Sequence, residues 1–127
     1  MTESIADSTV LIHILRGNPT ARSWFSAQVT RLSITPISWL EVMYGSPNKR
    51  EQTRTKALLD QLNMAYLTQA DMDWVMQQLL TYRLSHGIAI MDCLIASVCH
   101  RLQVPLYTHN VRDMTILLGS ALVVKPY

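Results

Sequence analysis

Five short apolar runs punctuate the chain, and they limit its fold more than any other feature. They read SIA at 4–6, LSI at 32–34, MAYL at 64–67, VPLY at 104–107 and ALVV at 121–124. Amphipathic segments separate them. This alternation is the pattern of a parallel sheet covered by helices, because parallel strands are buried on both faces and each crossover needs a connecting helix. No repeat, low-complexity tract or linker interrupts it, so residues 1–127 read as a single α/β domain. With 49% of the residues apolar, a packed core is expected.

The spacing predicts a helix from about Thr9 to Arg16, stopped by Gly17 and Asn18. Pro19 suits the first turn of the next helix, with Ala21, Trp24, Phe25, Val29 and Leu32 at helical spacing. Further helices are expected from Ser38 to Tyr44-Gly45 and, after a polar stretch at 46–56, on to Leu62. Met72, Val75, Met76, Leu79 and Leu80 mark an apolar stripe on a helix that ends at His86-Gly87. Helices over Asp92–Leu102 and Arg112–Leu117 complete the set.

Some classes are excluded early. No apolar run approaches the ~20 residues of a membrane span. The opening MTESIADS lacks the basic and apolar segments of a signal peptide, so a cytoplasmic location is expected. Cys93 and Cys99 lie six apart on one predicted helix, point to different faces and should stay unpaired, as suits a reducing compartment. His13, His86, His100 and His109 are scattered and suggest no zinc site. A net charge of +2 permits a nucleic-acid partner without arguing for one.

The nine carboxylates divide into two groups. Glu3 lies at the terminus, and Glu51, Asp60, Asp71 and Asp73 sit in polar or amphipathic surroundings, as solvated helix faces or caps. Asp7 follows SIA, Glu41 lies inside ISWLEVMYG, Asp92 lies inside IAIMDCLIAS, and Asp113 follows THNVR. These four fall where strands end or helices begin, and ligand sites of open α/β sheets form beyond the carboxyl ends of the strands. Four converging acids would repel strongly, and a divalent cation with a taste for oxygen, magnesium or manganese, is the ordinary remedy. Capping is the competing explanation: Asp7, Asp92 and Asp113 could each cap a helix, and Ser38 to Glu41 matches a capping box.

In these four segments the chain resembles the PIN-domain family, and specifically the VapC-type toxins of toxin–antitoxin pairs. IADSTVLIHILRG is similar to the family's strand–Asp–helix opening, ISWLEVMYG to its second segment, HGIAIMDCLIAS to its third and LYTHNVRDM to its fourth, Thr-x-Asn-x-x-Asp. VVKPY is also typical, and the matches run in order from Ile5 to Tyr127. The resemblance implies a three-layer α/β/α fold with a five-stranded parallel sheet in the order 3-2-1-4-5. It also implies a metal-dependent endoribonuclease that hydrolyses an RNA phosphodiester with a metal-activated water. Asp7, Glu41, Asp92 and Asp113 would be its catalytic and metal-binding acids, for Mg²⁺ or Mn²⁺, with Thr108, Asn110 and Ser8 as supporting polar groups. A cognate antitoxin and a homodimer are implied as partners. Met91, Cys93, Met114 and His13 depart from the usual residues, and none of these departures removes a carboxylate.

RNA would need positive charge near these acids. Lys49, Arg50, Arg54 and Lys56 could contact phosphate or could simply start a solvated helix, and Arg16 and Arg112 could meet phosphate or pair with the acids. Three other readings compete. A phosphoacceptor receiver would need an acidic pair after the first strand, where Asp7 stands alone. A nucleotide-binding domain would need a Gly-rich loop, and the four glycines are not clustered. A PIN-like domain that binds RNA or a partner without cutting is the alternative that keeps the fold and drops the chemistry.

Overall fold

The computed structural model describes residues 4–127, so Glu3 lies outside them. Its elements are β1 (Ile5–Ala6), α1 (Ser8–Leu15), α2 (Pro19–Ser26), β2 (Ser33–Ile34), α3 (Pro36–Tyr44), α4 (Lys49–Leu59), β3 (Asn63–Met64), α5 (Gln69–His86), α6 (Ile90–Leu102), β4 (Leu106–Tyr107), α7 (Val111–Leu118), a short 3₁₀ turn (Ser120–Leu122) and β5 (Val123–Val124). The sheet is parallel throughout, in the order β3-β2-β1-β4-β5, which is the expected three-layer arrangement. In register, Ile5 faces Ser33 on one side and Leu106 on the other, so β1 lies at the centre.

Alternation along the strands builds two cores. Ile5 and Leu106 join Val75, Ile88, Ile95, Val98, Met114 and Leu117 under α5, α6 and α7. Ala6 and Ile34 point the other way, to Val10, Leu11, Ile14, Val42, Leu58 and Leu59 of α1, α3 and α4. Cys93 and Cys99 are both buried and free, as expected. Among the described residues no helix is long and apolar enough to cross a membrane.

Several boundaries differ from the sequence reading, each for a local reason. The strands pair over two residues each, shorter than their apolar runs. α2 ends at Ser26, and Val29 is 98% exposed, because Leu32 is needed in the core beside β2 and residues 27–31 must carry the chain there. α3 starts at Pro36, with Thr35 accepting the Ser38 amide, so Ser38 lies inside the helix and forms no capping box with Glu41. α4 starts at Lys49 rather than beyond residue 56, because Asn48 caps it by accepting the Glu51 amide, and it ends at Leu59.

The α5 stripe divides. Val75 is buried and Leu79 half-buried, whereas Met72, Met76, Leu80 and Leu84 face outward at four-residue spacing. Asp71 is a cap, as expected, but a buried one: it forms a capping box with Thr68 and an ion pair with Arg101 at 3.0 Å.

Candidate active site

The topology brings the four singled-out acids to one edge. Asp7 leaves the carboxyl end of the central strand and is 2% exposed. Glu41 sits on α3, which starts where β2 ends, and Asp113 lies in the first turn of α7, just after β4. α6 leads into β4, so it runs back across the sheet and starts at the same edge. Asp92 lies in its first turn.

Capping does not explain these positions. The N-caps of α6 and α7 are Ala89 and Asn110, and neither makes a side-chain cap bond. Asp92 and Asp113 lie three residues past those caps, within the first turn. Asp7 does cap α1, but its carboxylate does more: Oδ1 accepts the Ser8 amide at 2.8 Å, and Oδ2 accepts the Thr108 hydroxyl at 2.7 Å and the Thr9 hydroxyl at 3.2 Å. That network holds Asp7 in place and leaves it accepting from neutral donors. The Ser8 hydroxyl lies 3.3 Å from Asp7 Oδ1 and 3.1 Å from Glu41 Oε1, tying the two acids to one proton. Asn110 Nδ2 donates to Asp92 Oδ2 at 2.8 Å, and the Asn110 amide donates to Thr108 Oγ1 at 2.9 Å. Ser8, Thr108 and Asn110 thus each hydrogen-bond at least one of these acids.

The electrostatics report a shared site. Burial first, then the charges of Asp7 and Asp113, lift the Asp92 carboxyl from its ordinary 3.8 to about 6; Glu41 adds to the rise and the Asn110 bond works against it. Burial also raises Glu41, with Asp7 adding to the rise and the Ser8 bond opposing it. Among the described residues Asp7, Glu41 and Asp92 enter no ion pair with a basic side chain. Asp113 pairs with Arg112 at 2.9 Å, but that arginine side chain is 72% exposed and the pair is weak.

The donor set fits a hard divalent cation. It is all oxygen and strongly anionic, with no thiolate or imidazole among the four. Among the described residues no three His, Cys, Asp or Glu side chains stand together at a spacing that would grip an ion. Spacing and electrostatics therefore point different ways. Asp7 is pinned by its donors, so any closer approach falls to Glu41, Asp92 and Asp113, each held by a single side-chain partner. First-turn positions on two helices also place Asp92 and Asp113 where the helix dipole favours negative charge.

The basic cluster on α4 is largely engaged. Arg54 bonds Glu51 at 2.7 Å and also the Leu15 carbonyl, Lys56 bonds Asp60 at 2.9 Å, and Lys49 bonds Gln52 at 3.3 Å. Arg16 lines a groove of about 300 Å³ between α1, α3 and α4, together with Ile12, Leu15, Val42 and Pro47, and Glu41 also lines it. Of the unusual residues, Met91 is 47% exposed beside Asp92, whereas Met114 is fully buried in the core. His13 packs against His109 and Tyr127, a cluster that the sequence signals only through the VVKPY ending.

A five-stranded parallel sheet in this order, helices on both faces and acids gathered beyond the carboxyl ends of the strands define an α/β/α domain with an acidic site at its switch point. The chain belongs to the PIN-domain family, whose pattern it matches over residues 5–112. Its fold is similar to that of a toxin–antitoxin complex from Klebsiella pneumoniae, with a TM-score of 0.80, 24% identity and 98% of each chain covered. It is also similar to DNA-bound VapBC from Salmonella typhimurium, at 0.74 and 19%, covering 94% of this chain and 95% of that one. VapBC2 from Rickettsia felis, bound to a promoter DNA fragment, gives 0.77 and 18%, covering 95% and 96%. No curated protein matches the sequence.

Proposed function

We propose that this chain is a divalent-metal-dependent endoribonuclease of the VapC type, the toxin of a toxin–antitoxin pair, acting as one domain over residues 1–127. One observation carries the reading: four acids from α3, α6, α7 and the end of β1 share an edge, and among the described residues three of them enter no ion pair with a basic side chain. Asp7, Asp92 and Asp113 would hold Mg²⁺ or Mn²⁺, with Glu41 directly or through water. The ion supplies a water of lowered pKa and positive charge that offsets the phosphoryl oxygens. Thr108 and Thr9 keep Asp7 oriented, Asn110 orients Asp92, and Ser8 holds Glu41 beside Asp7.

RNA phosphates would meet Arg50 and the neighbouring Lys49 and Lys56, whose present partners are exposed and readily exchanged, and Arg54 if it left Glu51 and the Leu15 carbonyl. The antitoxin is supported by the structural neighbours, which are toxin–antitoxin complexes. The apolar groove beside Glu41 is a seat for one of its segments. The outward stripe Met72, Met76, Leu80 and Leu84 would be the homodimer face, since one apolar strip can meet its own copy across a twofold axis. A cytoplasmic toxin fits the two free buried thiols.

The test is cleavage of RNA by the purified chain without a partner. Cutting with Mg²⁺ or Mn²⁺ that stops in EDTA is expected. Cutting that persists in EDTA would sink the metal mechanism. RNA binding without cutting in either ion would favour the non-catalytic binding domain.

A further inference from the structure

The loop that follows β4 serves two acids at once. Thr108 donates to Asp7 and Asn110 donates to Asp92, and His109 lies between them. The backbone amide of His109 donates to Thr9 Oγ1 at 3.2 Å, and Thr9 itself donates to Asp7. The place of this one loop therefore sets the orientation of carboxylates from two different elements.

The His109 ring is held by other rings. Its centroid lies 4.7 Å from that of His13 on α1 and 4.6 Å from that of Tyr127, beyond β5. Its Nε2 is buried and has no hydrogen-bond partner among the described residues, so packing rather than hydrogen bonding fixes that edge of the ring. Tyr127 is anchored in turn. Its hydroxyl donates to the Val10 carbonyl at 3.1 Å; having one proton, it accepts from His13 Nδ1 at 3.2 Å. Trp24 packs against Tyr127 at 5.8 Å and against Tyr107, at the end of β4, at 5.0 Å. None of these rings contacts the acids through its own polar atoms.

We infer that His109 and Tyr127 are positioning residues: with His13 they form an aromatic clamp that holds the Thr108–Asn110 loop, and through it Asp7 and Asp92, in the geometry the site needs. The inference rests on the metal-dependent reading above. It makes a distant residue, Tyr127, a determinant of ion binding.

The experiment compares wild type with Tyr127→Ala and Tyr127→Phe. Amide hydrogen exchange at His109 and Asn110 is read in EDTA-treated protein, and Mn²⁺ affinity is read by electron paramagnetic resonance of the free ion, without RNA. In Tyr127→Ala both amides should exchange faster, and Mn²⁺ affinity should fall about tenfold, at the low end for groups that support ligands. Tyr127→Phe keeps the ring against His109 and loses only the hydroxyl bonds, so it should recover most of both. It also carries the test if Tyr127→Ala unfolds, because it too should exchange measurably faster than wild type. Wild-type exchange in the folded variants overturns the clamp, as does faster exchange with unchanged Mn²⁺ affinity. A wild-type protein that takes up no Mn²⁺ overturns the metal reading itself, and the positioning role with it, whatever the exchange data show.

Discussion

Asn110 Nδ2 lies 2.8 Å from Asp92 Oδ2, joining the loop after β4 to the first turn of α6. The bond spans one helix and the strand that follows it, and it lowers the pKa of a carboxyl that burial and three other acids raise. Removing it with Asn110→Ala should cut RNA cleavage by about 10- to 100-fold, the range for groups that orient ligands. The acid limb of the pH–rate profile should move upward, since Asp92 would then hold its proton to higher pH. A rate and profile equal to wild type would show that the amide does no positioning.

Asp92 also predicts a stability curve. Its folded carboxyl titrates at about 6 against an ordinary 3.8, so between these values the folded protein binds a proton that the unfolded chain has lost. Stability then falls as pH rises through that window, and the penalty is complete above it. Asp92→Asn removes the penalty. In EDTA the variant should melt higher than wild type above about pH 7, by an amount worth roughly 1–2 kcal/mol once solvent screening of this half-buried group is discounted, with the gain gone below about pH 4. It should also be inactive. An Asp92→Asn protein that is less stable than wild type at neutral pH would favour a purely structural role.

Thr108 is fully buried, and its hydroxyl serves both Asp7 and the Asn110 amide. Thr108→Val keeps the shape but leaves the Asn110 amide without its acceptor and Asp7 with one donor fewer, which costs about 1–3 kcal/mol of stability. Cleavage should fall as well, because Asp7 keeps only Ser8 and Thr9 to orient it. Thr108→Ser restores a hydroxyl and should recover most of both. If melting and cleavage of Thr108→Val match wild type, the hydroxyl is dispensable.

Asp92 is readable in sequence because one carboxylate inside an apolar run has few ordinary explanations. Asp7 and Asp113 are readable because each follows an apolar run at a turn. Glu41 is harder: Ser38, three residues before it, imitates a cap, and only the position of Thr35 and Pro36 removes that explanation. Residues whose role depends on distant partners stay hidden. Asp71 looks solvated until Arg101 folds onto it, and His109 acquires its surroundings only when Tyr127 arrives from beyond the neighbouring edge strand β5. Periodicity also cannot say which apolar face turns inward. Met76 and Val75 look alike in sequence, yet one is 55% exposed and the other 5%.

That outward face yields the last prediction. Leu80 and Leu84 are 80% and 98% exposed, so the fold of one chain gains little from either side chain. Replacing such a residue changes monomer stability by only about 0.5 kcal/mol or less. At a twofold interface the same change counts twice, since each copy brings its carboxylate to an apolar strip it shares with its partner. Leu84→Glu should therefore leave melting of the monomer nearly unchanged and lower the molar mass seen by light scattering from two chains to one. Leu80→Glu, one turn away, should act alike, whereas Val29→Glu, equally exposed on the loop after α2, should not. A wild-type chain that is monomeric, or a Leu84→Glu chain that stays dimeric, removes α5 as the dimer face.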